Sequence, residues 1–177
     1  MIRDAASSHG LIGMVQPTEP EMGADNPRLF GTGCVGRVTA LRETDDGCYD
    51  LTLVGLCRFD IVEELPMVHS YRQVLANYDQ YLVDLKPGES LDMCRDQILE
   101  ALKGYLEVRQ LEADWSQVQE VKDETLINAL SMICPFEPRE KQALLEALTL
   151  SQRGNILIGL MAMESATATA GAPSLLQ

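Results

Sequence analysis

Five cysteines and two histidines are the residues of this sequence best suited to nucleophilic chemistry or to metal binding. The cysteines are, in chain order, Cys34, Cys48, Cys57, Cys94 and Cys134. No two of them are closely spaced, and His9 and His69 lie in different predicted loops, so the zinc-ligand pattern is missing and we predict no metal and no cofactor. Cys57 alternates with Phe59 and Ile61 as a buried strand residue does, which favours a core position. A Cys57 nucleophile with His69 as its base is the alternative that the sequence leaves open.

Residues 31–36 match the G-x-G-x-x-G pattern of dinucleotide-binding sites. Such a site needs its glycines between a strand and a helix, because the helix N-terminus faces the pyrophosphate. Here residues 37–41 continue as a predicted strand. We therefore interpret the glycines as a strand start with a bend, a bulge or a close approach of two backbones. The sequence has no Walker A motif, which removes the case for a P-loop ATPase.

The remaining charged residues favour structural roles. Asp45 with Asp46, and Glu63 with Glu64, lie at predicted turns, where solvent-exposed charge is the usual interpretation. Arg58 is expected to pair with an aspartate or glutamate of the chain, and binding of a ligand carboxylate is the alternative. No catalytic residue is therefore assigned, and the sequence predicts a protein that is not an enzyme.

The composition is that of a soluble globular protein, with 46% apolar and 23% charged residues in a chain of 177. The formal net charge is −13, and no cluster of basic residues is present. Binding to nucleic acids and to anionic membranes both depend on basic residues, so we predict neither. The longest apolar run, at residues 156–163, is too short to span a bilayer. An odd number of cysteines and no signal peptide predict reduced thiols in the cytoplasm.

The first part of the chain has the alternating pattern of strands. Residues 1–8 are predicted to be the end of a helix or a frayed start, and residues 11–83 to be mostly antiparallel sheet. Strands at 34–42 and 48–55 flank an Asp-Gly pair that is typical of a hairpin turn. A separate third strand is predicted at 57–61, and one or two more at 71–83.

The second part of the chain has the 3.6-residue period of helices. Four helices are predicted, beginning near Ser90, Asp123, Pro138 and Ser151. Strands followed by helices predict the α+β class. We expect a β-rich subdomain at residues 1–87, a helical subdomain at 88–165 and a disordered tail at 166–177.

Several stretches together resemble the N-terminal substrate-binding domain of the Lon family of ATP-dependent proteases. In the β-rich part they are LIGMVQP at 11–17, GTGCVGRV at 31–38 and DGCYDLTLVGLCRF at 46–59. In the helical part they are ETLINAL at 124–130, CPF at 134–136 and EKQALLE at 140–146. Their order and their coverage, about residues 8–165, resemble most closely the stand-alone bacterial members that lack the ATPase and peptidase domains.

The resemblance implies a twisted antiparallel β subdomain of the PUA-like pseudo-barrel type, followed by a small α-helical bundle. Family members normally begin with an apolar strand of the type LPLFPL, and this chain begins inside what resembles the helix after that strand. The expected sheet therefore lacks its first strand, through either a truncation or a misassigned start, and has an unpaired edge.

The resemblance further implies a non-catalytic module that recognises unfolded or apolar polypeptide segments, and an adaptor for a AAA+ protease in protein quality control is the role that we expect for it. An RNA-binding or small-molecule-binding PUA-like domain is the alternative, against which the negative charge weighs. Residues 11–15 are predicted to form a strand, and residues 17–28 a long loop after it. Candidate substrate-binding residues lie on or beside this long loop. They are Met14, Gln16, Pro17, Leu29 and Phe30.

Overall fold

The structure is a computed structural model that describes residues 1–18, 26–86 and 94–171, with side chains as far as residue 167. The chain divides into two compact units, Met1–Pro87 and Gly88–Gln177. The first unit is mostly antiparallel sheet and the second is helical, so the predicted α+β class is confirmed.

The first unit is built on a four-stranded antiparallel sheet. Its strands are β1 Leu11–Met14, β2 Thr32–Glu43, β3 Tyr49–Glu64 and β4 Val74–Asn77, and they lie side by side in chain order. Helix α1, Ile2–Ser7, precedes β1, and a 3-10 helix, Asp79–Leu85, follows β4. The sheet is open, since β1 and β4 each pair with one other strand in the described part of the chain.

The hairpin predicted at the Asp-Gly pair is present between β2 and β3. The Thr44 amide donates to the Cys48 carbonyl at 2.9 Å, and Gly47 has φ +79°, a conformation that glycine adopts without a steric penalty. The separate strand predicted at 57–61 is wrong, because β3 runs without a break for 16 residues. Pairing continues through a register shift in which Val35 faces Cys57 while Gly36 faces Gly55. The extra residue makes a β-bulge, which bends a strand without ending it.

The prediction of strands across residues 71–83 is correct only for β4. The chain then turns into the 3-10 helix, where the Asn77 side chain accepts a hydrogen bond from the Asp79 amide at 2.9 Å. An Asx turn of this kind ends a strand, because it satisfies the backbone locally. Tyr81, inside the 3-10 helix, is 2% exposed, which explains why its segment has the apolar character of a strand.

The second unit contains five helices in the described residues. They are α2 Arg95–Arg109, α3 Trp115–Glu120, α4 Asp123–Ile133, α5 Pro138–Glu146 and α6 Leu150–Gly171. One apolar core joins them, including Ile98, Leu102, Ile127, Leu157 and Met161. No helix in the described part of the chain is both long and apolar enough to cross a membrane.

The predicted helix starts agree with the structure to different degrees. Pro138 does occupy the first turn of α5, where a capping box joins Glu137 and Glu140. The short helix α3 was not predicted, although Asp114 caps it by accepting from the Ser116 and Gln117 amides. The predicted start at Ser90 lies outside the described residues.

The tail predicted at 166–177 begins inside α6, which extends to Gly171. Its first residues alternate Ala with Thr, and alanine has the highest intrinsic helix propensity. Residues 172–177 of that predicted tail lie outside the described residues.

Candidate functional site

A groove of about 770 Å³ lies beside β1 in the first unit. One wall is α1 and β1, and the opposite wall is the segment 71–78, which includes β4. Val15 and Pro17, before the long loop, and Pro27 and Leu29, at its other end, also line the groove. The groove is partly open to solvent, so a ligand can enter it from outside.

The floor of the groove is apolar. Phe59 of β3, Ile12 of β1 and Ala5 of α1 line it and are 2%, 5% and 7% exposed. The ring of Tyr78 packs against that of Phe59 in a tilted arrangement, with centroids 5.9 Å apart. Tyr78, which is 37% exposed, is the ring of this pair that offers apolar contact area to a ligand.

Gly33 of the G-x-G-x-x-G motif makes this floor possible. A Cβ atom there would lie 2.7 Å from the Met14 carbonyl oxygen, 2.7 Å from Val15 Cγ2 and 2.8 Å from Phe59 Cζ. The missing side chain therefore lets the end of β1 approach the Phe59 ring. The motif is a packing feature of a strand, as its sequence context predicts, and β2 does run through it from Thr32 to Glu43.

Polar side chains surround the mouth of the groove. The Tyr71 hydroxyl donates to Asp4 Oδ2 at 3.1 Å and holds the pKa of that carboxyl below its usual value. The imidazole of His69 stacks on the Tyr71 ring at 5.2 Å. Arg72 donates to the Pro27 carbonyl at 2.7 Å and forms an ion pair with Glu64. These contacts hold the 71–78 wall against α1 and the end of the long loop.

Two of the five predicted site residues, Pro17 and Leu29, line the groove. They form an isolated antiparallel bridge with each other, so they join the two ends of the long loop. The other three residues, Met14, Gln16 and Phe30, do not line it. Met14 is 57% exposed, and the Gln16 carbonyl accepts a hydrogen bond from the Phe30 amide at 3.0 Å.

The sequence analysis missed the wall opposite β1. Tyr71, Arg72, Val74, Ala76 and Tyr78 line the groove from a segment about 60 residues away from β1 in the chain. Only the fold of the sheet brings them to β1, so no local spacing could have identified them. The alternating apolar residues of this segment were the available signal, and they indicated a strand without indicating what it faces.

Of the residues considered for chemistry, His9 lines the groove and Cys57 does not. Cys57 is 4% exposed, and its thiol contacts the carbonyl oxygens of Arg58 and Tyr81 at 3.2 Å. Burial raises the pKa of this thiol, which disfavours the nucleophilic thiolate. Among the described residues, no group of three or more His, Cys, Asp or Glu side chains is arranged to hold a metal ion.

Arg58 forms the predicted ion pair with a carboxylate of the chain. Its Nε and Nη2 atoms donate to the two oxygens of Asp84 at 2.9 and 2.7 Å, and its backbone amide donates to Asp84 Oδ2 at 2.9 Å. Its guanidinium also lies over the Tyr81 ring, 4.6 Å from the centroid. Arg58 therefore fastens β3 to the 3-10 helix and is unavailable to a ligand carboxylate.

Comparisons with known proteins identify the fold independently. The family model for the ATP-dependent protease La (LON) substrate-binding domain matches residues 1–163. The chain is similar to the crystal structure of a Lon N-terminal domain protein from Xanthomonas campestris, with TM-score 0.59, 14% identity and coverage of 89% of this chain and 80% of that one. It is also similar to the N-terminal domain of a Lon protease from the Mycobacterium avium complex, with TM-score 0.54, 14% identity and coverage of 86% and 89%. A search of curated proteins gives no match.

Proposed function

The chain belongs to the family of Lon substrate-binding domains, and from that membership we propose that it is a non-catalytic module that captures unfolded or apolar polypeptide segments in the groove beside β1. Family membership supports substrate recognition and protein substrates in general. The location of the site and the choice of unfolded segments are the parts that we propose.

The apolar floor of the groove is the observation that carries this proposal. Unfolded polypeptides differ from folded ones in exposing apolar side chains along an extended backbone. Burying one large apolar side chain in such a groove contributes about 1.5–3 kcal/mol. A few such contacts, made against Phe59, Tyr78 and Leu29, give reversible binding of segments that folded proteins keep inside.

We propose the five residues beside the long loop as part of this site, in two roles. Pro17 and Leu29 contact the substrate, since both line the groove. Met14 adds an exposed apolar side chain at the end of β1. Gln16 and Phe30 hold the two sides of the long loop together through their backbone hydrogen bond.

As an adaptor, the module would pass captured segments to a AAA+ protease that supplies ATP hydrolysis and peptide cleavage. The five cysteines of the chain are all free thiols, which suits the reducing cytoplasm in which we place this role.

The test is fluorescence anisotropy with one labelled protein substrate, compared as its native form and as a permanently unfolded, reduced and alkylated form. We expect binding of the unfolded form and none of the native form. Leu29→Asp places a charge in the groove and should weaken binding at least tenfold. Leu41→Asp, at an exposed position outside the groove lining, is the matched control and should bind as the unsubstituted protein does. Equal binding of the native and unfolded forms, or equal loss in both variants, would contradict the proposal.

A further inference from the structure

We infer that the groove binds its substrate as an extended strand added to the outer edge of β1, which makes β-forming apolar segments the preferred substrate class. This inference rests on the proposed function and specifies the bound form of the substrate. It follows from the position of β1 in the sheet, from the direction of its backbone groups and from the charge of the protein.

The groove runs along the edge of β1. In the described structure β1 pairs with β2 on one side only and forms the end of the sheet. Leu11, Ile12 and Gly13 are consecutive, and all three line the groove. Successive side chains of a strand point to opposite faces, so Leu11 and Ile12 approach the groove from the two faces of β1, and Gly13, which has no side chain, lines it with its backbone.

The register with β2 shows which backbone groups of β1 face the groove. The Val38 amide donates to the Gly10 carbonyl at 2.8 Å, which makes these two residues a hydrogen-bonded pair. Hydrogen-bonded and non-bonded pairs alternate in an antiparallel ladder. Ile12 therefore bonds to β2 opposite Gly36, and the backbone groups of Leu11 and Gly13 point away from β2.

Gly13 presents both a donor and an acceptor at this outer edge. By this register its amide and its carbonyl both point away from β2, whereas the Leu11 amide already donates to His9 Nδ1 at 3.2 Å. One residue of an added antiparallel strand can bond to both groups of Gly13. Backbone pairing of this kind supplies affinity without requiring a particular side-chain sequence, as a recogniser of many unfolded substrates needs.

Side chains of the added strand would alternate between the groove floor and solvent. The floor is apolar, so apolar residues at every second position fit it. The protein has a net charge of −13, and Asp4 at the mouth is held ionised, so acidic segments are repelled and neutral or basic ones are favoured. A second copy of this chain carries the same negative charge and is the poorer occupant for that reason.

The test compares Gly13→Pro with Gly13→Ala. A Cβ atom at position 13 meets Phe59 Cζ at 3.3 Å in both variants, but only proline removes the outward amide. Proline is compatible with an edge strand when its missing amide faces away from the neighbouring strand. The probe is a fluorescein-labelled 12-residue peptide that alternates Val or Phe with Thr or Lys, and circular dichroism checks that both variants fold.

We expect Gly13→Pro to bind the peptide at least tenfold more weakly than Gly13→Ala. Equal affinities would overturn strand addition, and if Leu29→Asp still weakened binding, the groove would keep its proposed function. No binding of the peptide or of the unfolded protein by the unsubstituted chain would overturn both. A concentration-dependent dimer that Gly13→Pro dissociates would assign the edge to self-association and overturn the inference.

A second probe serves if Gly13→Pro fails to fold. Two versions of the peptide carry backbone N-methyl groups on alternate residues, in the two possible phases. An added strand turns alternate amides toward β1, so we expect the two phases to differ at least tenfold in affinity. Equal affinity of the two phases would overturn the inference.

Discussion

Gly33 and Phe59 show how single residues shape the groove. The Phe59 ring forms the floor, and only the lack of a side chain at Gly33 lets the end of β1 reach it. The same motif contains Gly31, which has open space around it and imposes no such requirement. Packing therefore requires glycine at position 33 of this motif and does not require it at position 31.

Gly33→Ala is expected to destabilise the first unit by about 1–3 kcal/mol, because the new methyl group would overlap the Met14 carbonyl and the Phe59 ring. Urea unfolding followed by circular dichroism measures this change. Gly31→Ala is the matched control and should unfold within about 0.5 kcal/mol of the unsubstituted protein. Equal stability of the two variants would show that the groove floor can relax around the methyl group.

Tyr105, in the core of the second unit, predicts a pH dependence of stability. Burial, and then the neighbouring Cys134 and Glu164, raise its pKa to about 12, against an ordinary value of 10.0. The folded state thus keeps this proton when the unfolded state has lost it, and stability falls as the pH rises from about 10 to about 12. The loss is about 2–3 kcal/mol.

Thermal unfolding between pH 8 and pH 11 measures the first part of this loss, and Tyr105→Phe is the matched variant because it removes the titrating hydroxyl. We expect the phenylalanine variant to lose less stability with rising pH than the unsubstituted protein does. Parallel pH profiles of the two proteins would show that Tyr105 is not the group responsible.

At the scale of elements, an ion pair fixes the 3-10 helix against the sheet. Arg58 in β3 and Asp84 in the 3-10 helix are 5% and 20% exposed in their side chains, so water screens their interaction little. Loss of one partner leaves the other charge buried. The position of the chain after β4 therefore depends on this pair.

Asp84→Asn is expected to cost about 3 kcal/mol of unfolding free energy, because it removes the carboxylate charge that faces the buried Arg58 guanidinium. Asp50→Asn breaks the Arg42–Asp50 pair, whose side chains are 76% and 62% exposed, and should cost less than about 1 kcal/mol. Denaturant titration of both variants compares the two pairs directly. A cost for Asp84→Asn as small as that for Asp50→Asn would contradict the structural role of the buried pair.

Elements fixed by local signals were predictable from the sequence. The Asp-Gly pair located the β2–β3 hairpin, and Pro138 located the start of α5. Elements that depend on distant contacts were not predictable. The bulge that keeps β3 continuous depends on its pairing with β2, and the 3-10 helix is held by Arg58, 26 residues from Asp84. The groove is the extreme case, since residues far apart in the chain meet only in the folded sheet.

At the scale of the whole molecule, the two units differ in secondary structure but are covered by one family model. The family match covers residues 1–163 and so includes both the sheet and most of the helical unit. The groove and the open sheet edge both lie in the first unit. The proposed function therefore assigns substrate contact to the first unit. A measurement that covers every residue of the chain can show which of the two units the substrate contacts.

Hydrogen–deuterium exchange of the whole chain, with and without a saturating amount of the unfolded substrate, is the most direct test of substrate capture in the groove. We predict slower exchange in segments covering residues 11–17 and 71–78, with the Gly13 amide among those protected, and no change in α2 at Arg95–Arg109. Protection confined to the helices of the second unit, or no protection in either unit at saturation, would contradict the assignment of the groove as the substrate-binding site.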